Sequence, residues 1–344
     1  MTKISACYHP TTAFFIDDNR RYLANLSFDL DDSKFSSKFY FNPVDALEYL
    51  QEKYQINPFT NRCLTRPEES RFDHRNIEID ISAIRKEIYD PNRFEEISVI
   101  VVDYAMPNLN GLDLCLQLKH APYKKLMLTG EAEEGIAIQA FNDGIIDKFI
   151  RKDIPNFSKV INSAIEELER QYFVDLSRIV IDSLTQDPNH PIVTWLDEPG
   201  FSELFEKVRR ENDISEYYLT DAFGSFLFLD SQGNPSWLAV KSEDEMQAAL
   251  EVAEGSDTPF PSDILSSMKK REKVLYMYHK GGLCDNLEEA KRSLHPATKL
   301  KGRKTNYYYS LIKDSNAYDV DTDKILSFKT YQERQKKPQK KDEA

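Results

Sequence analysis

The most constraining feature of this sequence is an unbroken apolar run at residues 98–102 that ends in a single acidic residue, Asp103. The run shows no polar alternation and is rich in valine and isoleucine, which is typical of a parallel strand buried on both faces. Open α/β sheets bind their ligands at the carboxyl ends of the strands. Asp103 is therefore predicted to face a crevice, and it is the candidate reacting group.

Residues 1–155 contain four other short apolar segments. They lie at 13–16, 39–41, 125–128 and 145–150. Between them lie segments whose apolar residues recur at helical spacing. Strand–helix alternation of this kind predicts a parallel sheet covered by helices. We therefore expect a doubly wound α/β domain of the (βα)5 type over residues 1–155.

Polar residues stand where several of these predicted strands end. Asp17 and Asp18 follow the first strand, Thr129 follows the fourth, and Lys152 lies just past the fifth. Together with Asp103, the acids supply the hard oxygen ligands that Mg²⁺ prefers, and the metal would let three carboxylates share a site. The hydroxyl and the lysine suit the oxygens of a phosphoryl group, with Asp103 as nucleophile. Taken singly, each residue could equally be a solvated loop residue.

The ordered set of motifs resembles the receiver domain of two-component response regulators, of the flavodoxin-like CheY type. Asp-Asp follows the first strand, D-x-x-M-P the third, Thr-Gly the fourth and a lysine the fifth, over residues 12–170. The resemblance implies that Asp103 is the phosphoacceptor. It also implies that Asp18, Asp103 and the Ala105 carbonyl bind Mg²⁺ directly, with Asp17 acting through water.

The same resemblance implies a switch built on two further residues. Thr129 corresponds to the switch hydroxyl and Phe149 to the switch aromatic, although a core aromatic is the competing interpretation of Phe149. Lys152 corresponds to the cation that contacts the phosphate. The family usually has proline after this lysine, whereas this chain has Asp153, which puts the expected cis peptide in question.

Residues 54–96 interrupt the alternation and are far longer than an ordinary loop in such a domain, so we interpret them as an insertion. Ile77, Ile81, Ile84 and Ile88 recur there at helical spacing and predict an amphipathic helix. Its apolar face would pack on the core or, alternatively, bind a partner.

A helical pattern continues from residue 156 to about 184, and we assign 156–188 as an extended last helix and connector. Its apolar residues past Arg170 exceed what a receiver domain covers; they are Phe173, Leu176, Ile179 and Val180. Such a stripe predicts a partner helix. The resemblance to receivers implies that phosphorylation changes the face formed by the fourth helix, fifth strand and fifth helix. We therefore expect a homodimer through this face and the connector, strengthened by phosphorylation. The alternative is a helix that folds back onto its own output domain.

Residues 189–330 show strands, then helices, then strands, which predicts an α+β output domain. Residues 217–240 resemble the opening hairpin of a PAS-type sensor fold. Residues 331–344 are charged and poor in apolar residues, so we expect a disordered tail. Residues 97–330 also resemble, more loosely, quorum-sensing response regulators of the Legionella type.

The output domain lacks a GxxxxGK phosphate loop, which excludes a P-loop ATPase. Residues 281–285 only superficially match the GGDEF motif of nucleotide cyclases. Lysines and an arginine beside consecutive tyrosines form a basic-aromatic patch for a nucleotide or nucleic acid, or else a solvated turn; they are Lys299, Lys301, Arg303, Lys304, Tyr307, Tyr308 and Tyr309. We expect a non-enzymatic output, with a nucleotide-binding or nucleotide-processing domain and a DNA-binding transcription factor as alternatives.

The composition limits which binding partners and which cellular compartment we expect. A net charge of −13 disfavours a general nucleic-acid binder, although the last quarter of the chain carries a basic surplus. The 4 cysteines show no paired spacing, so neither a disulfide framework nor a zinc site is indicated. We expect no leader at the start of the sequence, and no apolar run is long enough to span a bilayer. We expect a cytoplasmic protein without membrane contact, whose partner is a cognate sensor histidine kinase or phosphotransfer protein.

Overall fold

The computed structural model describes residues 3–54, 64–65, 78–130, 133–186, 196, 198–255, 260–276, 291–303, 305–313 and 320–336. The chain divides into two compact units. The first, here called the α/β unit, comprises Tyr8–Ile79, Asp90–Ile179 and Lys329–Ala344. The second, called the antiparallel unit, comprises Met1–Cys7, Asp80–Tyr89 and Val180–Phe328.

Strands and helices are numbered along the chain. The strands are β1 (Cys7–Tyr8), β2 (Thr12–Ile16), β3 (Ser36–Tyr40), β4 (Leu64–Thr65), β5 (Glu78–Ile79), β6 (Ile97–Asp103), β7 (Lys124–Thr129), β8 (Lys148–Arg151), β9 (Ile214–Leu219), β10 (Phe226–Asp230), β11 (Pro235–Ser242), β12 (Lys273–Leu275), β13 (Leu294–Pro296), β14 (Thr298–Lys301) and β15 (Asn306–Ile312). The helices are α1 (Arg20–Asp29), α2 (Pro43–Tyr54), α3 (Ile81–Lys86), α4 (Gly111–Gln117), α5 (Glu134–Asn142), α6 (Phe157–Gln186), α7 (Pro199–Glu211), α8 (Glu243–Gly255), α9 (Ser262–Lys269) and α10 (Phe328–Lys336).

The α/β unit is built on a parallel five-stranded sheet in the order β3-β2-β6-β7-β8. Its central strands are buried on both faces, and successive side chains point to opposite faces. Phe14 and Val102 belong to the apolar cluster on one face, whereas Phe15 and Val101 belong to the cluster on the other. This confirms the predicted α/β fold with a doubly wound, flavodoxin-like sheet. All five strands deliver their carboxyl ends to one edge.

Within the described part of the predicted insertion, the helix is shorter than the isoleucine spacing predicts. Helix α3 begins only at Ile81, because Asp80 caps it by accepting a hydrogen bond of 2.9 Å from the Ser82 backbone N–H. Ile84 and Ile88 are fully buried, which favours core packing over a partner surface. Ile77 lies outside the described residues. Residues 80–89 belong to the antiparallel unit, and α3 packs on β9 there.

Helix α6 is one continuous helix of 30 residues. Its residues up to Ile179 belong to the α/β unit, and those from Val180 belong to the antiparallel unit. Three of the four connector residues predicted to lack cover, Phe173, Leu176 and Val180, are buried within the single chain. Only Ile179 is exposed, at 51 %. The inference that this stripe needs a second copy to cover it is therefore wrong.

The antiparallel unit contains a six-stranded sheet in the order β1-β9-β10-β11-β15-β14. Strands β9, β10 and β11 are consecutive antiparallel neighbours, and β11 pairs with β15. Phe205 of α7 packs edge-on against Tyr217, Phe226 and Phe228 of the sheet. The α+β order is observed among the described residues, whereas the likeness to a PAS fold stays a prediction.

The N-terminal residues lie elsewhere than predicted. Strand β1 is an edge strand of the antiparallel sheet, and the Leu219 backbone N–H donates a hydrogen bond of 2.7 Å to the Ala6 carbonyl. The expectation that residues 1–155 form one domain therefore fails at its start. Edge pairing uses backbone groups, so the side chains of so short a strand give no signal of its partner.

The predicted disordered tail begins with helix α10, which ends at Lys336. Tyr331 is buried, and its ring lies 5.3 Å from that of Phe94; Lys336 Nζ lies 2.6 Å from Asp32 Oδ2. These contacts hold a segment whose composition alone indicates disorder. Residues 337–344 lie outside the described residues. No helix within the described ranges combines the length and apolar character needed to cross a membrane.

Candidate functional site

The carboxyl edge of the parallel sheet brings the predicted site residues together. Asp17 follows β2, Asp103 ends β6, Thr129 ends β7 and Lys152 follows β8. Carboxylate oxygens of Asp17, Asp18 and Asp103 all lie within 4.8 Å of one another. Asp17 and Asp103 are buried, while Asp18 is exposed. The sheet topology alone explains this convergence, because parallel strands end at a common edge.

Lys152 bridges two of these acids. Its Nζ donates to Asp17 Oδ2 at 2.7 Å and lies 2.9 Å from Asp103 Oδ1. Its backbone N–H donates to the Thr129 carbonyl at 3.0 Å, which ties the end of β8 to the end of β7. Burial disfavours the charged ammonium, but the hydrogen bonds to Asp17 and Asp103 outweigh it and raise the pKa of Lys152.

The electrostatics of Asp103 depend on its neighbours. Burial raises the pKa of the Asp103 carboxyl, the hydrogen bond and charge of Lys152 lower it, and the carboxylates of Asp17 and Asp18 raise it again. On balance the pKa of the Asp103 carboxyl lies above its ordinary value, because burial is the largest of these effects.

Thr129 places an unsatisfied hydrogen-bonding group at this edge of the sheet. The residue is fully buried, and its Oγ1 has no hydrogen-bond partner among the described residues. A buried hydroxyl without a partner costs about 1–3 kcal/mol, so such groups are usually satisfied by a ligand or water. A phosphoryl oxygen on the neighbouring strand end would satisfy it.

The loop after Asp103 is held close to the strand end. A Cβ atom on Gly111 would lie 2.2 Å from the Asp103 carbonyl oxygen, so the first residue of α4 must be glycine. The Gly111 backbone N–H donates to the Tyr104 carbonyl at 3.0 Å. Ala105, whose carbonyl is a predicted metal ligand, lies exposed in this loop two residues after Asp103.

The fifth strand carries Phe149, and the peptide bond after Lys152 differs from the one usual in the family. Phe149 is half-buried and packs on the apolar cluster that contains Phe14. No peptide bond among the described residues is cis, so the Lys152–Asp153 bond is trans. Asp153 instead accepts two hydrogen bonds from Arg151, at 2.7 and 3.0 Å. Arg151 and Asp153 thus form an ion pair.

The sequence did not indicate one residue of the site, Tyr22 of α1. The Lys152 Nζ lies 4.2 Å from the centroid of the Tyr22 ring. The Tyr22 hydroxyl is buried and has no hydrogen-bond partner in the described part of the chain. Burial, followed by the charges of Asp17 and Asp103, raises the pKa of Tyr22. A tyrosine one turn into a helix carries no motif, so only its position after the acid pair could have drawn attention.

The acid cluster fits a divalent cation. Its three carboxylates supply hard oxygen donors, and their mutual repulsion would be relieved by a doubly charged ion. These donors suit Mg²⁺, which keeps several water ligands and needs few carboxylates from the protein. Asp17, Asp18 and Asp103 are the residues that would hold it.

Two of the three tyrosines of the basic-aromatic patch are buried, and the third, Tyr309, is half-buried. Lys299, Lys301 and Arg303 are exposed, but Tyr307 and Tyr308 are buried. Neither buried ring can stack on a base in this structure. Lys304 and residues 281–285 lie outside the described residues.

Comparisons with known proteins find several response regulators similar to this chain or to part of it. No protein-family model matches the sequence. The structure of the response regulator LqsR of Legionella pneumophila is similar, with a TM-score of 0.79 and 33 % identity, over 96 % of this chain and 96 % of that one. The response regulator ArlR of Staphylococcus saprophyticus is 23 % identical over 164 residues, which are 45 % of this chain and 73 % of that protein. A receiver domain of Clostridium thermocellum matches 47 % of this chain and 95 % of its own length, with 18 % identity and a TM-score of 0.32.

The parallel sheet, with its acid cluster and lysine at one edge, defines a response regulator with a receiver domain that serves two-component signalling. The similarity to LqsR extends along both units, over almost the whole of each chain. This chain belongs to the family of LqsR-type response regulators.

Proposed function

We propose that the protein is a phosphorylation-controlled switch in which Asp103 receives a phosphoryl group in a Mg²⁺-dependent reaction. The observation that carries this proposal is the convergence of three carboxylates, Lys152 and the unpartnered Thr129 hydroxyl at one edge of the sheet. The physiological donor is a sensor histidine kinase or a phosphotransfer protein, and the reaction takes place in the cytoplasm.

In the proposed reaction, an Asp103 carboxylate oxygen attacks the phosphorus atom of the donor. The new bond joins Asp103 Oδ to phosphorus, and the bond between phosphorus and the leaving group breaks, with its electron pair leaving on the donor. The Lys152 ammonium, now 2.9 Å from Asp103 Oδ1, neutralises charge on the phosphoryl oxygens. Bound Mg²⁺ would supply further neutralisation of that charge.

The proposed switch uses Thr129 and Phe149. Once a phosphoryl group is present, the Thr129 hydroxyl gains an acceptor, and a move of Thr129 toward it frees space for the half-buried Phe149 ring. The ligand then favours one of two conformations that already exist. We propose a non-enzymatic output domain. The alternative is an output domain that processes nucleotides or binds DNA. The proposed role in quorum sensing rests on the likeness to Legionella-type regulators.

The test is incubation of the full-length protein with acetyl phosphate, followed by intact mass measurement. We expect the mass of one phosphoryl group to be added in the presence of Mg²⁺ and to be lost under conditions that hydrolyse acyl phosphates. EDTA should prevent the addition, because the acid cluster then lacks its counter-ion. A mass unchanged by acetyl phosphate and Mg²⁺ would refute the proposal.

Dimerisation on phosphorylation is proposed through the exposed face of α5 rather than through the connector. Ile138 and Phe141, one turn apart, are 45 % and 49 % exposed. We expect beryllofluoride with Mg²⁺ to dimerise the wild type in sedimentation experiments, and Phe141→Glu to raise the dissociation constant at least ~10-fold. Leu116→Glu, at an exposed apolar residue of α4, is the matched control and should dimerise normally. A monomer under all conditions would contradict this proposal.

A further inference from the structure

Tyr22 is the third group that holds the Lys152 ammonium. Two of the contacts of Nζ are ionic, to Asp17 Oδ2 at 2.7 Å and to Asp103 Oδ1 at 2.9 Å. The other is the face of the Tyr22 ring, whose centroid lies 4.2 Å from Nζ. An ammonium within about 6 Å of a ring centroid is attracted by the negative face of the ring, and the attraction grows when water is excluded.

The position of the Tyr22 ring is set by the same turn that sets Asp17. The Asn19 backbone N–H donates to Asp17 Oδ1 at 2.8 Å, and the Tyr22 backbone N–H donates to Asn19 Oδ1 at 3.1 Å. Asn19 thereby caps α1, and the cap couples the acid to the tyrosine. The ring is also partly buried against the apolar cluster that contains Phe15. Tyr22 is therefore a fixed surface, whereas the lysine side chain has a long, flexible stem.

Phosphorylation changes what Lys152 can bind. Once an Asp103 oxygen is bonded to phosphorus, that carboxyl group loses its negative charge, and the ammonium must turn to the phosphoryl oxygens. A ring face attracts an ammonium without requiring a directed hydrogen bond, so Nζ can pivot on it while it changes acceptor. A flexible lysine without such a face would lose more conformational entropy on reaching the phosphoryl group.

We propose that Tyr22 is a positioning residue that keeps Lys152 in the site as its acceptor changes, and that it thereby sets the rate of phosphorylation of Asp103. This inference rests on the proposed function. It assigns the effect to the aromatic face and not to the hydroxyl, which is buried without a partner in the described part of the chain.

The test compares loss of the Tyr22 ring with loss of its hydroxyl alone, and it then measures the energetic coupling between Tyr22 and Lys152. In full-length protein, Tyr22→Leu should slow phosphorylation by acetyl phosphate and weaken beryllofluoride binding by roughly 3- to 30-fold. Tyr22→Phe, which keeps the ring face, should lose less than about twofold. Thermal unfolding of each variant serves as the folding control, and Tyr22→Met is a second ring-free variant should Tyr22→Leu fail to fold.

A double-mutant cycle with Lys152→Met then decides whether Tyr22 acts through the lysine. Tyr22→Leu should have no further effect on beryllofluoride affinity when Lys152 is already replaced. An equal loss in both backgrounds, or a loss in Tyr22→Phe as large as in Tyr22→Leu, would overturn the role of the ring. A wild type that takes up neither phosphoryl group nor beryllofluoride would overturn the proposed function and this inference together, whereas a modified wild type matched by Tyr22→Leu would overturn this inference alone.

Discussion

Asp103→Asn is expected to abolish modification by acetyl phosphate, with a rate at least about 100-fold below that of the wild type, since an amide is not an effective nucleophile here. The introduced amide side chain would occupy nearly the same volume at the end of β6, and Lys152 would keep its contact with Asp17. Because burial already disfavours the charged carboxylate of Asp103, we expect the variant to be at least as stable as the wild type. Intact mass and thermal unfolding measure the two effects.

The matched control for Asp103→Asn is Asp143→Asn, which removes an exposed carboxylate at the end of α5. It should be modified at the wild-type rate. Acyl phosphate persisting on the Asp103→Asn protein would contradict the assignment and redirect the search to Asp17 and Asp18, the other acids of the cluster.

The parallel sheet and the main site residues were predictable because they follow from short-range pattern and topology. A strand that is buried on both faces has a continuous run of apolar residues in its sequence, and the carboxyl ends of parallel strands lie at one edge of the sheet. Asp17, Asp103, Thr129 and Lys152 therefore converge as the sequence indicates, and the structure adds their distances. The need for glycine at Gly111 comes from its close approach to the Asp103 carbonyl, which the sequence pattern does not show.

Other features could not be predicted because they depend on contacts between distant parts of the chain. Strand β1 joins the antiparallel sheet through backbone hydrogen bonds, and Tyr331 finds Phe94 more than 200 positions away along the chain. The apolar stripe of α6 illustrates the same limit, since amphipathic periodicity shows that a face is covered without showing what covers it. Phe173, for example, packs on His9 and Tyr8, with ring centroids 4.8 and 5.4 Å away.

A second large effect is expected at Glu169, a fully buried residue of α6 at the opposite, amino end of the parallel sheet. One carboxylate oxygen accepts hydrogen bonds from the Thr11 backbone N–H at 2.7 Å and from the Thr11 hydroxyl at 2.5 Å. The other accepts from the Tyr8 hydroxyl at 2.6 Å. Burial raises the pKa of Glu169 from 4.5 to about 7, although these hydrogen bonds oppose the shift.

The raised pKa makes the stability of the α/β unit depend on pH. The folded state binds the Glu169 proton more tightly than the unfolded state does, so this contribution is complete below pH 4.5 and is lost as the pH rises to about 7. At 1.4 kcal/mol per unit of pKa, the loss is about 3 kcal/mol. A comparison of a Glu169 variant with the wild type cancels what other titrating groups contribute to the pH dependence.

Glu169→Gln imitates the protonated residue, because the amide oxygen can keep both bonds from Thr11 while the amide nitrogen donates to the Tyr8 hydroxyl. We expect its free energy of unfolding to match that of the wild type near pH 5 and to exceed it by about 2–3 kcal/mol at pH 8. Urea unfolding at several pH values measures this difference. Glu167→Gln, at an exposed residue of the same helix, should show no such growth with pH. If the Glu169→Gln and wild-type curves stay parallel from pH 5 to pH 8, the carboxyl is ionised throughout, and the three hydrogen bonds outweigh its burial.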